Sequence, residues 1–194
     1  MAHHQQQEYI SHQASNEPMM KFFGFDSTFL PERPLKVLEV GSYNVNGTVR
    51  DTFNPTKEVE YLGVDVAEGP CVDVVCPGHL LEAADEFYDF IISCECFEHD
   101  MHYEKTLPNL IRMLSSKGGF LFSCATTGRP EHGTPATSPQ DCPPTQEHSE
   151  WSSYYKNLTE EDIRAVIDVD DIFSEYEFSV DTTAADLYFY GVKR

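Results

Sequence analysis

The residues best suited to move protons fall in two short stretches. Cys94-Glu95-Cys96-Phe97-Glu98-His99 ends in an acid beside a histidine, and Arg129-Pro130-Glu131-His132-Gly133 carries a second histidine. An imidazole with an unperturbed pKa of about 6.5 exchanges protons near neutral pH. His99, His132 and the neighbouring Glu98 are therefore the candidate catalytic groups. The bland alternative is that Glu98 and His99 only cap or orient the helix after them. Cys94 and Cys96, with Glu98 and His99, also suggest metal ligation. Ligands so close in sequence need a tight loop, and no second cluster with ligand spacing completes the set, so no metal is expected.

A different set suits ligand binding. Val37 to Gly47 reads VLEVGSYNVNG, a short apolar run stopped by glycine. Such a run is how a buried parallel strand looks where it opens into a ligand loop. Glycine permits close backbone approach, and a helix start beyond it offers free N–H groups. Glu39 ends this strand, and Asp65 ends a second run, EVEYLGVDV (58–66). Asp65 is placed to accept hydrogen bonds from a ribose diol, with Val66 beside it for an adenine face. Core packing explains two acids at adjacent strand ends poorly; solvated strand ends remain the plain alternative. Gly41 and Gly47 do not make the GxGxxG dinucleotide pattern. Ser42, Tyr43 and Val45 would also hold a pyrophosphate off the backbone. The sequence thus favours a nucleoside ligand without phosphates over NAD, and S-adenosylmethionine meets that description.

The elements that would position these groups alternate. Strands are expected at Leu35–Val40, Glu58–Val66, Cys71–Cys76, Tyr88–Ser93 and Phe120–Cys124. Helices are expected at about 47–53, ended by Asn54-Pro55, and at 79–87. Leu107, Leu110, Ile111 and Leu114 follow the i, i+3, i+4, i+7 rule of a helix lying on a sheet, with Pro108 in its first turn or at a kink. Lys117-Gly118-Gly119 would end it. Thr159, with Asp162 three residues on, predicts a capped helix burying Ile163, Val166 and Ile167. Phe173–Val180 and Leu187–Lys193 read as an antiparallel hairpin. Alternating strands and helices imply an α/β three-layer fold, with the ligand beyond the carboxyl ends of the strands.

Composition bounds the rest. The 194 residues read as a mobile tail (1–17) and one domain (18–194), whose Phe22, Phe23, Phe25 and Phe29 would pack on the body before Pro31 and Pro34. Residues 126–157 hold five of the twelve prolines and form an irregular insertion suited to a lid. His148, Trp151, Tyr154 and Tyr155 would wall the pocket from it, or simply anchor the loop. The net charge of −20, from 13 basic and 33 acidic residues, argues against nucleic acid and anionic membrane as partners. No apolar run approaches the roughly 20 residues of a membrane span. Six cysteines make no disulfide framework, which fits reduced thiols in the cytoplasm.

Five pieces, in order, resemble class I S-adenosylmethionine-dependent methyltransferases, and most closely their type 11-like small-molecule branch. They are VLEVGSYNVNG (37–47), YLGVDV (61–66), VDVV (72–75), YDFIISCECFEH (88–99) and LIRMLSSKGGFLFS (110–123). YYKNLTEEDI (154–163) and the terminal hairpin look like the family's tail. The resemblance implies a Rossmann-like, mostly parallel seven-stranded sheet with its last strand antiparallel. It implies that Glu39, Gly41 and Gly47 hold the methionine end of the cofactor, Asp65 the ribose and Val66 the adenine. Cys94 would lie near the sulfonium, with Ser42 and Tyr43 also touching the cofactor. Two departures stand out. The first loop is E-x-G-x5-G instead of E/D-x-G-x-G-x-G, and Cys76-Pro77-Gly78 replaces the acid that often reaches the adenine amino group. Gly78 and His79 would then contribute contacts there.

The expected activity is methyl transfer to oxygen or nitrogen of a small-molecule or saccharide-like acceptor, with S-adenosylhomocysteine as product. A domain that binds the cofactor without transfer and an NAD-binding oxidoreductase are the rival readings.

Overall fold

A computed structural model describes residues 33–53 and 59–194. The expected tail (1–17), the Phe22–Phe29 segment, Pro31 and the Asn54-Pro55 stop lie outside the described residues.

Three strands set the frame: β1 (Leu35–Val40), β2 (Val59–Asp65) and β4 (Tyr88–Cys94). They are parallel and in step, with Val40 opposite both Val64 and Ser93. Their carboxyl ends therefore open at one level. Between β1 and β2 lies the one-turn α1 (Arg50–Phe53), and β3 (Val74–Val75) pairs with the end of β2. Then follow α2 (Tyr103–Met113), β5 (Leu114–Ala125), α3 (Pro143–Gln146), α4 (Glu160–Val166), α5 (Val169–Ile172), β6 (Phe173–Asp181) and β7 (Asp186–Lys193). The seven-stranded sheet runs β3-β2-β1-β4-β5-β7-β6. β7 is antiparallel to both neighbours, and the other pairings are parallel. This is the Rossmann-like α/β sheet expected from the sequence. After β3 the chain returns to the far side of β1, so the order reverses between β1 and β4, where such sheets open a crevice.

β1 and β4 are almost entirely buried, because a parallel sheet covered on both faces has no solvated side. On one face Leu38, Val40 and Ile91 pack against Leu107, Leu110 and Ile111 of α2 and Ile163 of α4. Burying each such side chain contributes about 1.5–3 kcal/mol. The other face carries Val37, Phe90, Ile92 and Leu121 with Val49, just ahead of α1. The Thr159–Asp162 capping box forms at the start of α4, in both directions.

Several boundaries differ from expectation. The first helix starts at Arg50 and not at Gly47, because Asn44 Oδ1 accepts the Gly47 N–H at 2.8 Å and Thr48 Oγ1 accepts that of Arg50. Residues 79–87 do not form a helix; only Gly78–Leu80 makes a 3-10 turn. Asn109 Nδ2 donates to the Gly78 and Leu81 carbonyls, and Arg112 donates to that of Ala83, so α2 takes the carbonyls a helix there would need. The third strand shrinks from 71–76 to Val74–Val75. α2 ends at Met113, and β5 starts at Leu114, ahead of the Lys117-Gly118-Gly119 stop. The extended stretch includes Lys117 at φ 65°.

Candidate active site

Beyond the ends of β1, β2 and β4 lies a cleft with about 660 Å³ of empty space, partly open to solvent. Its first wall is the loop after β1. Both Gly41 N–H and Ser42 N–H donate to the Val64 carbonyl (3.0 and 3.2 Å), and Asn44 N–H donates to Pro70 (2.9 Å). Gly41 has φ +81°, and a Cβ there would stand 2.5 Å from Cys96 Cβ. Only glycine lets this loop and the loop after β4 close on each other.

Asp65 faces the cleft at the end of β2. Tyr43 N–H donates to one carboxylate oxygen at 2.9 Å and Val66 N–H to the other at 2.7 Å. Burial raises its pKa, opposed by these two amides. Each oxygen still has a lone-pair direction for a ligand hydroxyl.

Of the other residues proposed to hold the cofactor, Gly41, Tyr43, Val66 and Gly78 line the cleft. Glu39 lies beneath it, accepting a 2.8 Å hydrogen bond from Tyr61. Burial raises the Glu39 pKa to about 7. Ser42 is buried, and Gly47 closes the Asn44 turn. Cys94 packs on the sheet face opposite α2, among Val37, Ile92 and Leu121, so its thiol is in the core. His79 sits at the edge, its ring 4.2 Å from that of His102 and 6.2 Å from that of Trp151.

The candidate catalytic groups come together. His99 and His132 both line the cleft, their rings 5.0 Å apart, and Tyr155 flanks both. Glu98 is fully buried behind them. Burial pushes the His99 pKa down to about 3, helped by His132 and Arg129. Its ring is thus neutral at pH 7, with a lone pair but little strength as a proton acceptor. Burial lowers the His132 pKa also, opposed by the Pro130 carbonyl. Glu98 and Glu95 are raised to about 7 and about 8, chiefly by burial; for Glu95 the neighbouring Glu98 carboxylate adds to it.

The N-cap of α2 is His102, which makes no side-chain capping bond; Asp100, ahead of it, accepts from His102 N–H (2.8 Å) and from the Thr106 hydroxyl. Asp100 also lines the cleft, as do Glu95, Asp141, Cys142 and Thr145. Asp100 had a readable signal, an acid just before a helix. Cys142 and Thr145 had none, since only the path of the insertion brings them here. Within the insertion, Trp151 lines the cleft and His148 Nε2 lies 2.7 Å from the Val66 carbonyl, spanning from the insertion to the end of β2. Tyr154 lies at the side of Lys156 and Tyr103.

No family model matches the chain, and no curated protein matches it in sequence. Solved structures do match. A Burkholderia thailandensis 1,6-didemethyltoxoflavin-N1-methyltransferase, with 1,6-didemethyltoxoflavin and S-adenosylhomocysteine bound, superposes with TM-score 0.55 at 16% identity, over 96% of this chain and 82% of that one. The fold is that of class I S-adenosylmethionine-dependent methyltransferases. Haemonchus contortus phosphoethanolamine N-methyltransferase 2, in complex with S-adenosyl-L-methionine, shares it at TM-score 0.56 and 11% identity, over 96% of this chain and 59% of that one. The CurJ carbon methyltransferase does so at TM-score 0.56 and 13% identity, over 97% and 59%. Among the described residues of this methyltransferase-fold chain, no helix is long and apolar enough to cross a membrane.

Proposed function

We propose that this chain transfers the methyl group of S-adenosylmethionine to an oxygen or nitrogen of a small-molecule or saccharide-like acceptor, leaving S-adenosylhomocysteine. The observation that carries this reading is the Asp65 carboxylate, held by two backbone amides and turned into the cleft beside the tight Gly41 loop. That arrangement suits a ribose diol at the end of β2 and a methionine moiety over the first loop. Val66, Gly78 and Cys76 offer an apolar and backbone-lined seat for adenine. Glu39, Ser42, Gly47, His79 and Cys94 act from behind this seat, shaping the loops rather than touching the ligand.

Bound there, the cofactor supplies an activated methyl group. The chain's part is to align an acceptor lone pair with the methyl carbon and to keep water out. Trp151, Cys142 and Thr145 of the insertion cover the cleft and would select the acceptor. The relatives in fold include both nitrogen and carbon methyltransferases, so fold does not choose the atom. Our choice of oxygen or nitrogen rests on His99 and His132, imidazoles on the cleft wall that can accept a hydrogen bond from an acceptor hydroxyl or amine, with Glu98 behind them.

The charge of −20 weighs against nucleic-acid acceptors. Six free cysteines suit a reducing compartment such as the cytoplasm. The test is calorimetric binding of S-adenosylmethionine, followed by release of S-adenosylhomocysteine over a panel of hydroxyl and amine acceptors. Binding without turnover on any acceptor would favour a cofactor-holding domain instead. A thermal shift with NAD and none with the sulfonium would favour an oxidoreductase.

A further inference from the structure

We propose that Glu98, His99 and His132 form a binding site for one divalent first-row metal ion on the wall of the cleft. Each residue offers one ligand atom, and the three atoms lie within 4.8 Å of one another. Ligands about 2.1 Å from a metal stand roughly 3–3.4 Å apart, so modest side-chain rotation closes the set.

The environment of these atoms is what calls for a cation. Glu98 is fully buried, yet neither carboxylate oxygen has an aligned hydrogen-bond donor among the described residues. The backbone N–H groups of Glu98 itself and of Ala125 approach it and lower its pKa against the burial that raises it. His99 is 6% exposed, and its Nδ1 also lacks a partner there. Buried polar atoms almost always have partners, and leaving three orphaned on adjacent residues is expensive. Arg129 does not relieve them: it pairs with Asp186 at 2.7 Å and reaches Glu95 at 3.8 Å.

The third ligand is already oriented. His132 Nδ1 lies 3.2 Å from the Pro130 carbonyl, and an N–H donated there leaves the Nε2 lone pair for a metal. The loop that carries it is tied down by Gln146 Nε2 to the Gly133 carbonyl (2.8 Å) and by Asn157 Nδ2 to that of Arg129 (2.9 Å). Gly133, at φ +70°, packs so closely on His99 that a Cβ would stand 2.7 Å from the ring. The two histidines therefore hold each other's position. The tempting Cys94-x-Cys96 pair takes no part, since Cys94 is in the core and Cys96 packs on Gly41. Two imidazoles and a carboxylate without thiolate suit Mn²⁺, Fe²⁺, Co²⁺ or Zn²⁺.

Three protein ligands leave coordination positions open, and both histidines face the cleft. Resting on the methyltransferase reading, an acceptor hydroxyl would take an open position and lose its proton to water. Its oxygen would then form the bond to the methyl carbon as the carbon–sulfur pair returns to sulfur, releasing S-adenosylhomocysteine.

The experiment titrates Co²⁺ into the chelator-stripped full chain, following visible absorption and calorimetric heat, with Zn²⁺ in competition. One equivalent should bind with a ligand-field spectrum that Zn²⁺ abolishes, and His132→Ala should weaken it by about tenfold or more. His132→Gln, which keeps the loop's volume, should behave alike. No spectrum from the wild type, or equal affinity in both variants, overturns the site. S-adenosylmethionine binding to the metal-free wild type is read in parallel. Failure there sinks the cofactor reading and leaves the metal result to stand.

Discussion

The backbone N–H of Tyr43 donates to the Asp65 carboxylate at 2.9 Å, so the loop after β1 is fastened to the end of β2 by the residue proposed to hold the ribose. By that proposal one carboxylate does two jobs. Asp65→Ala should therefore lower S-adenosylmethionine affinity by more than about tenfold, roughly 1.4 kcal/mol or more. Asp65→Asn, keeping one acceptor, should fall between. Calorimetry on the three proteins checks this, and unchanged affinity in the alanine variant refutes the ribose assignment.

Gly41 meets Cys96 with its backbone in the left-handed region. Gly41→Ala adds both a clash and backbone strain, on the order of 1–3 kcal/mol for the strain alone. Thermal melting should drop by several degrees, and cofactor binding should weaken with it. Wild-type melting would show that the two loops are not in close contact.

Glu39 is a buried acid whose folded pKa is raised from 4.5 to about 7. The folded state then holds its proton more tightly than the unfolded chain does. Its stabilising contribution is complete below about pH 4.5 and is lost as pH rises to about 7, by about 3 kcal/mol at most. Glu39→Gln keeps an acceptor for Tyr61 and removes the titration. Urea unfolding at pH 5 and pH 8 should show a smaller loss of stability with pH in the variant. A difference between the two pH values equal to that of the wild type would refute it.

His148 holds the insertion to the Val66 carbonyl at 2.7 Å. Cutting this contact in His148→Ala should speed cofactor release several-fold while sparing the melting temperature, because the side chain is exposed. Stopped-flow displacement by S-adenosylhomocysteine measures it. An unchanged release rate means the insertion does not close over the ligand.

The sheet was legible because buried parallel strands leave apolar runs with glycine or small-residue stops, as at Val37–Gly41 and Tyr88–Cys94. The α4 cap was legible because Thr159 and Asp162 are a local signal. Residues 79–87 were not, because their helical preference is overridden by Asn109 and Arg112, which are remote in sequence. The same limit applied to the cleft. Glu39, Asp65, His99 and His132 could be picked out by type. That His132 reaches Glu98 and His99 depends on how the loop after β5 folds back, which no spacing encodes. Cys94 illustrates the converse: the resemblance to the methyltransferases implied that it lies along the cofactor, while the pleat turns its thiol to the opposite face.

On the proposed function, the cleft beyond β1, β2 and β4 holds an adenosyl sulfonium. Titrating S-adenosylmethionine into the full chain tests it most directly. Saturable heat at one equivalent, competed by S-adenosylhomocysteine and not by NAD, is the predicted result; no heat and no thermal shift at millimolar cofactor would contradict it.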